Sequence, residues 1–174
     1  GALAAKLGVE PREVFVGNGS NDLIELLVRT FVLEDEEVLT CAQSFVAYKL
    51  AAQEHGRKLV EAPMKARFHY DLDAIKKLLS RRTKLVFLAN PDNPTGTWFT
   101  EAELTPFLDA VPKETLVVLD EAYLEFVDAP GFQDALALRK KYQNLVVLRT
   151  FSKIYGLAGL RPGYGIARPD VVEY

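Results

Sequence analysis

The chain has 174 residues, with 21 basic and 24 acidic side chains, a net charge of −3, 49% apolar positions and 10% aromatic ones. That balance excludes a protein that holds nucleic acid or an acidic membrane through a broad basic surface, and it points to small-molecule partners. A single cysteine, Cys41, closes no internal disulfide, and His55 and His69 are too few to build a structural zinc site with it.

No apolar run reaches the roughly 20 residues that a membrane-spanning helix needs, and no signal peptide opens the chain, so a soluble, cytoplasmic protein is expected. The sequence begins inside a helical pattern, Ala2 to Leu7, and stops as another helix becomes possible after Pro169-Asp170. Residues 1–174 therefore read as part of a longer protein, without an internal domain boundary.

In chain order, short β-branched or apolar runs alternate with stretches of helical period. The candidate strands are Val14 to Val16, Glu37 to Thr40, Lys58 to Ala62, Lys84 to Leu88, Leu116 to Leu119, Leu145 to Leu148 and Gly163 to Ala167. The candidate helices are Asn21 to Phe31, Val46 to His55, Leu72 to Ser80, Glu101 to Val111 and Phe132 to Lys140. Leu23, Leu26, Leu27 and Thr30 share one helix face, and Asp71 and Thr100 stand where N-caps belong. Runs such as Leu85-Val86-Phe87-Leu88 lack alternation, as in strands covered on both sides. The pattern predicts an α/β fold: a mostly parallel open sheet with helices on both faces.

Four strands lead directly into unusual clusters: Gly17-Asn18-Gly19-Ser20-Asn21, Asn90-Pro91-Asp92-Asn93-Pro94-Thr95-Gly96, Asp120-Glu121-Ala122-Tyr123 and Arg149-Thr150-Phe151-Ser152-Lys153. An open α/β sheet binds ligands at the carboxyl ends of its strands, so the four clusters are expected to converge there. In the first, glycines permit a tight turn and Ser20 with Asn21 opens a helix whose free N–H groups favour an anion; the plain alternative is a turn with Ser20 or Asn21 as N-cap. In the second, two prolines fix an irregular backbone that holds Asn93; a simple sharp turn is the alternative.

Asp120 ends an apolar run, where a carboxylate needs a cationic partner: a protonated ring nitrogen, a metal or an arginine. Tyr123 can reach the same ligand, unless Asp120 merely caps a helix and Tyr123 packs inside. In a pocket near other cations, Lys153 as a neutral amine can attack a carbonyl and form an imine, whereas a lone lysine more often reaches solvent. Arg161, with Ser20, Thr150 and Ser152, suits a phosphate. A phosphate, an aldehyde, a ring nitrogen and a ring hydroxyl together match pyridoxal 5′-phosphate (PLP).

At these same motifs the chain resembles the aminotransferases of PLP fold type I and, within them, the histidinol-phosphate aminotransferase family. The resemblance runs through Val16 to Asp22, Asn90 to Gly96, Asp120 to Phe126 and Arg149 through Arg161, in order. It implies that Lys153 binds the cofactor aldehyde, that Asp120 pairs with the ring nitrogen, and that Asn93 and Tyr123 bond the ring oxygen. It further implies that Ser20, Asn21, Thr150, Ser152 and Arg161 hold the phosphate and that Phe45 stacks on the ring where family members often have Tyr. The implied reaction is transamination of L-histidinol phosphate with 2-oxoglutarate in histidine biosynthesis, by a homodimer whose N-terminal arm and C-terminal small domain lie outside residues 1–174.

Rival expectations are an aromatic or aspartate-type aminotransferase, a threonine-phosphate decarboxylase, or a non-catalytic PLP-binding regulator domain. A nicotinamide-dependent domain is disfavoured, because Asp22 stands where the dinucleotide fingerprint needs glycine.

Overall fold

The computed structural model describes residues 1–174. Seven strands, β1 (Val14–Asn18), β2 (Glu37–Cys41), β3 (Lys58–Ala62), β4 (Thr83–Ala89), β5 (Leu116–Asp120), β6 (Leu145–Thr150) and β7 (Pro162–Ile166), form one sheet in the order β1-β7-β6-β5-β4-β2-β3. Neighbours from β3 to β6 are parallel. Only β7 runs against the others, antiparallel to both β6 and β1, so the sheet is mostly parallel as expected.

Seven helices cover it: α1 (Ala2–Leu7), α2 (Ser20–Phe31), α3 (Val46–Glu54), α4 (Leu72–Leu78), α5 (Glu101–Ala110), α6 (Ala135–Lys141) and α7 (Pro169–Val172). Side chains alternate across a strand, so the sheet divides its apolar residues between two cores. Val86, Leu88, Val117, Leu119, Leu145 and Val147 pack under α4, α5 and α6. Leu85, Phe87, Leu116, Val118, Val146 and Leu148 pack under α2 and α3. Burial on both sides explains the unbroken apolar runs of β4, β5 and β6.

The helix starts follow local hydrogen bonding. Asp71 Oδ1 accepts from the Ala74 N–H at 3.0 Å. Thr100 and Glu103 form a reciprocal capping box at α5. The fifth candidate helix begins at Ala135 rather than Phe132, because Asp134 caps it by accepting from the Leu136 and Ala137 N–H groups. The helix expected to reach Ser80 stops at Leu78: Ser80 N–H donates to Thr83 Oγ1 and its hydroxyl donates to Glu37, which draws the chain into β4. On α2 the buried face is Leu23, Ile24, Leu27 and Val28, and Thr30 is exposed, which corrects the stripe read from spacing. No helix is long and apolar enough to cross a membrane.

Candidate active site

The carboxyl ends of β4, β5 and β6 lie side by side: Ala89 pairs with Asp120 in register, and Thr150 pairs with Gly163 of the neighbouring β7. The pleat directs Asp120 and Thr150 to the face shared with α2 and α3, and there a pocket of about 510 Å³ opens. Ser20, Asn21, Phe45, Asn93, Asp120 and Tyr123 line it together with Thr150, Ser152, Lys153 and Arg161, so every expected site residue borders this one cavity.

One end of the pocket is an anion cup. The first helical residue of α2 is Ser20, and the residue before it, Gly19, offers no side chain to cap the helix. The plain reading of Ser20 or Asn21 as N-cap is thus not met. Asp22 turns backwards and accepts from the Asn18 N–H at 2.9 Å, steadying the turn rather than filling the cup. Gly19 has φ +88°, and a Cβ there would come within 2.6 Å of Arg161 Nη2. The tip of the Arg161 guanidinium thus sits beside the Gly19 backbone, whose positive φ favours glycine.

Arg161 itself is left-handed, with φ 56°, a costly backbone for a non-glycine residue. Its one polar partner inside the chain is the Ala158 carbonyl at 3.3 Å. Gly163 has a parallel role, since a Cβ there would collide with the Gly19 carbonyl carbon and the Ser20 nitrogen. Free helix N–H groups, hydroxyls at Ser20, Thr150 and Ser152, and a guanidinium thus converge with no anion of the protein's own among them. The cup fits a phosphate on its donor chemistry.

The pocket floor is Asp120, 4% exposed. Its Oδ2 accepts from the Tyr48 hydroxyl at 3.0 Å and its Oδ1 from the Ala122 N–H at 3.2 Å. Burial pushes this carboxyl up to about 6, against the opposing pull of those two hydrogen bonds and of the Lys153 ammonium. Asp120 has no cation in contact; a positively charged group entering the pocket would supply one. Tyr48 is fully buried, stacked on Phe87 at 4.7 Å, and burial drives its own ionisation well above the ordinary tyrosine value.

Opposite stand the reactive and orienting groups. Lys153 Nζ lies 5.0 Å from the centroid of the Tyr123 ring, a cation–π arrangement that holds the amine over the pocket. The Lys153 loop starts from a turn in which the Ser152 N–H donates to Thr150 Oγ1 at 3.1 Å. Phe45 lies at the entry to α3, edge-on to Tyr48 with centroids 5.6 Å apart. Asn93 sits in the loop after β4, between Asp92 and Pro94.

Sequence reasoning missed Tyr48. The available signal was its spacing three residues after Phe45 on one helical face, and the rule that a buried tyrosine hydroxyl needs a partner. It also passed over Glu121, which lies on the opposite sheet face from Asp120, fully buried, and takes both Nε and Nη2 of Arg149 at 2.9 and 2.7 Å. Burial raises the Glu121 carboxyl above its usual range, and the arginine opposes that rise.

Known proteins share this sequence and this fold. The family model for aminotransferase class I and II matches residues 1–174. A histidinol-phosphate aminotransferase of Anaeromyxobacter sp. (strain Fw109-5) is 86% identical over 173 residues, which are 99% of this chain and 48% of that protein. The crystal structure of histidinol-phosphate aminotransferase from Sinorhizobium meliloti in complex with pyridoxal-5'-phosphate superposes with a TM-score of 0.91 at 35% identity, covering 99% of this chain and 47% of that one. An aromatic aminotransferase from Pyrococcus horikoshii OT3 gives 0.87 at 29% identity, covering 99% and 49%. The chain spans about half the length of the curated relatives it matches. With the family model matched from first residue to last and the family's ordered motifs gathered around one pocket, the chain belongs to the class I and II aminotransferases.

Proposed function

We propose that the protein is a PLP-dependent aminotransferase that moves the amino group of L-histidinol phosphate to 2-oxoglutarate in histidine biosynthesis. The observation that carries the cofactor reading is a single pocket holding an anion cup, a buried carboxylate and a lysine amine. The 86% identity to a histidinol-phosphate aminotransferase supports the choice of substrate over the aromatic, aspartate-type and decarboxylase alternatives.

When bound, PLP supplies an aldehyde that joins amines covalently and a ring that accepts electrons from the bond being broken. Ser20, Asn21, Thr150, Ser152 and Arg161 bind its phosphate. Asp120 holds a protonated ring nitrogen by charge pairing on the pocket floor, and Tyr48 orients that carboxylate. Asn93 and Tyr123 orient the ring through its oxygen, while Phe45 covers one face and excludes water. Lys153 would hold the aldehyde through its Nζ, and the same amine, placed over the pocket, would be the group available to carry a proton for the bound substrate.

Residues 1–174 act in this reading as the cofactor-holding core, and the partners are an amino donor, a 2-oxo acid acceptor and a second copy of the protein in a homodimer. Support for the second copy comes from Ile154, Tyr155, Leu157 and Leu160, apolar residues exposed beside the Lys153 loop. Cytoplasmic biosynthesis agrees with the single unpaired cysteine. The test is a visible spectrum of the full-length protein with added PLP, followed by borohydride reduction and peptide mapping. An adduct fixed to Lys153, with turnover of L-histidinol phosphate, supports the proposal; a folded protein that forms no adduct at Lys153 refutes it.

A further inference from the structure

Asp92 lies in the loop that carries Asn93, yet it does not border the pocket where its neighbours Pro91 and Asn93 do. It is 3% exposed, and no lysine or arginine pairs with it. Its two oxygens face different parts of the chain. Oδ2 accepts from the Thr95 hydroxyl at 2.7 Å and so closes the Asn93 loop on itself. Oδ1 accepts from the Ser44 hydroxyl at 2.7 Å, and Ser44 is the residue before Phe45.

Tyr70 completes the cluster. Its hydroxyl accepts from the N–H of Ala89, the last residue of β4, at 3.0 Å and lies in hydrogen-bond contact with Ser44 Oγ. The Tyr70 hydroxyl also lies 3.2 Å from Asp92 Oδ1, so Ser44 and Tyr70 both turn their hydroxyls to this carboxylate, while the Ala89 N–H donates to Tyr70 from behind. A chain of donors that ends on a carboxylate is strengthened at each link, most of all where water is excluded. An amide in place of Asp92 has one acceptor oxygen instead of two, so it loses either the hydroxyls of Ser44 and Tyr70 or that of Thr95 as donors and also loses the charge that strengthens them.

We propose that Asp92 is a positioning residue that joins the end of β4, the Phe45 turn and the Asn93 loop into one unit, so that Phe45 and Asn93 meet the cofactor ring at a fixed separation. The inference rests on the PLP reading given above. It concerns the ring end of the pocket and leaves the anion cup, built from α2 and the β6–β7 segment, outside its reach.

The test measures PLP affinity by fluorescence quenching in the full-length apoprotein, with inorganic phosphate as competitor to report the cup alone. Asp92→Asn is expected to weaken PLP about tenfold, the size of one lost hydrogen bond to a charged group, with the phosphate constant unchanged. In a Phe45→Ala background the same substitution is expected to cost less than about threefold, because residues that act through one another are not additive. Ser44→Ala cuts the link to the Phe45 turn while leaving Thr95 on Asp92, and it serves equally if Asp92→Asn does not fold. Wild-type affinity in both variants, full additivity with Phe45→Ala, or an equal loss of phosphate affinity each overturns the proposal. A wild-type protein that binds no PLP refutes the proposed function instead.

Discussion

Asp120→Asn in the apoprotein separates the stability of the fold from the needs of the site. Burial lifts the Asp120 carboxyl from 3.8 to about 6. An acid whose folded-state value is raised holds its proton more tightly when folded, so its contribution to stability is fully present below pH 4 and is lost as pH rises through 6. At 1.36 kcal/mol per unit, the ionised carboxylate costs the folded apoprotein about 3 kcal/mol at pH 8. Asparagine keeps an oxygen to accept from the Ala122 N–H, can donate its NH2 to the Tyr48 hydroxyl oxygen, and has no charge to desolvate. Urea denaturation followed by circular dichroism is therefore expected to show Asp120→Asn more stable than wild type by about 3 kcal/mol at pH 8, and by about 1 kcal/mol at pH 4.5. Saturating PLP is expected to reverse the order at pH 8, because a cationic ring beside Asp120 stabilises the wild type alone. A destabilised apo variant at pH 8, or a gap that is the same at both pH values, refutes the reasoning.

Lys153→Ala is expected to abolish the borohydride-fixed adduct and to lower turnover by about 10³-fold or more, read from the absorption spectrum and the transamination rate. Gly163→Ala places a Cβ against the backbone of Gly19 and Ser20; chemical denaturation is expected to show a loss of about 1–3 kcal/mol, accompanied by weaker phosphate competition. Glu121→Ala leaves the Arg149 guanidinium buried without its partner. That loss is expected to cost about 3–5 kcal/mol of stability, and a recovery in Glu121→Ala/Arg149→Met checks that the unpaired charge is the cause.

The sequence alone determined a good deal. Strand positions followed from apolar runs, because a strand covered by helices on both faces has no polar side to interrupt it. The cap residues Asp71 and Thr100 were legible because capping is settled within three or four residues along the chain. Nine of the ten candidate site residues fall in or just after four strand-end clusters and were legible because an open α/β sheet delivers the carboxyl ends of its strands to one edge, whereas Phe45 entered through the family resemblance alone.

Tertiary structure decided what depends on groups remote in the chain. Tyr48 reaches Asp120 across 72 residues, and Asp92 meets Ser44 and Tyr70 across 48 and 22; no local period records such pairings. The sheet pleat sent Asp120 to the pocket and Glu121, its neighbour in sequence, to the opposite face against Arg149, a division that follows only once the two cores are assembled. Likewise Gly163 looks like an ordinary strand glycine in the sequence, and only the packing of the α2 entry against it shows that a Cβ has no room there. Short-range hydrogen bonding and apolar period act through the chain itself and can be read along it, whereas the charge, spacing and donor order of the site are set by contacts that exist only after folding.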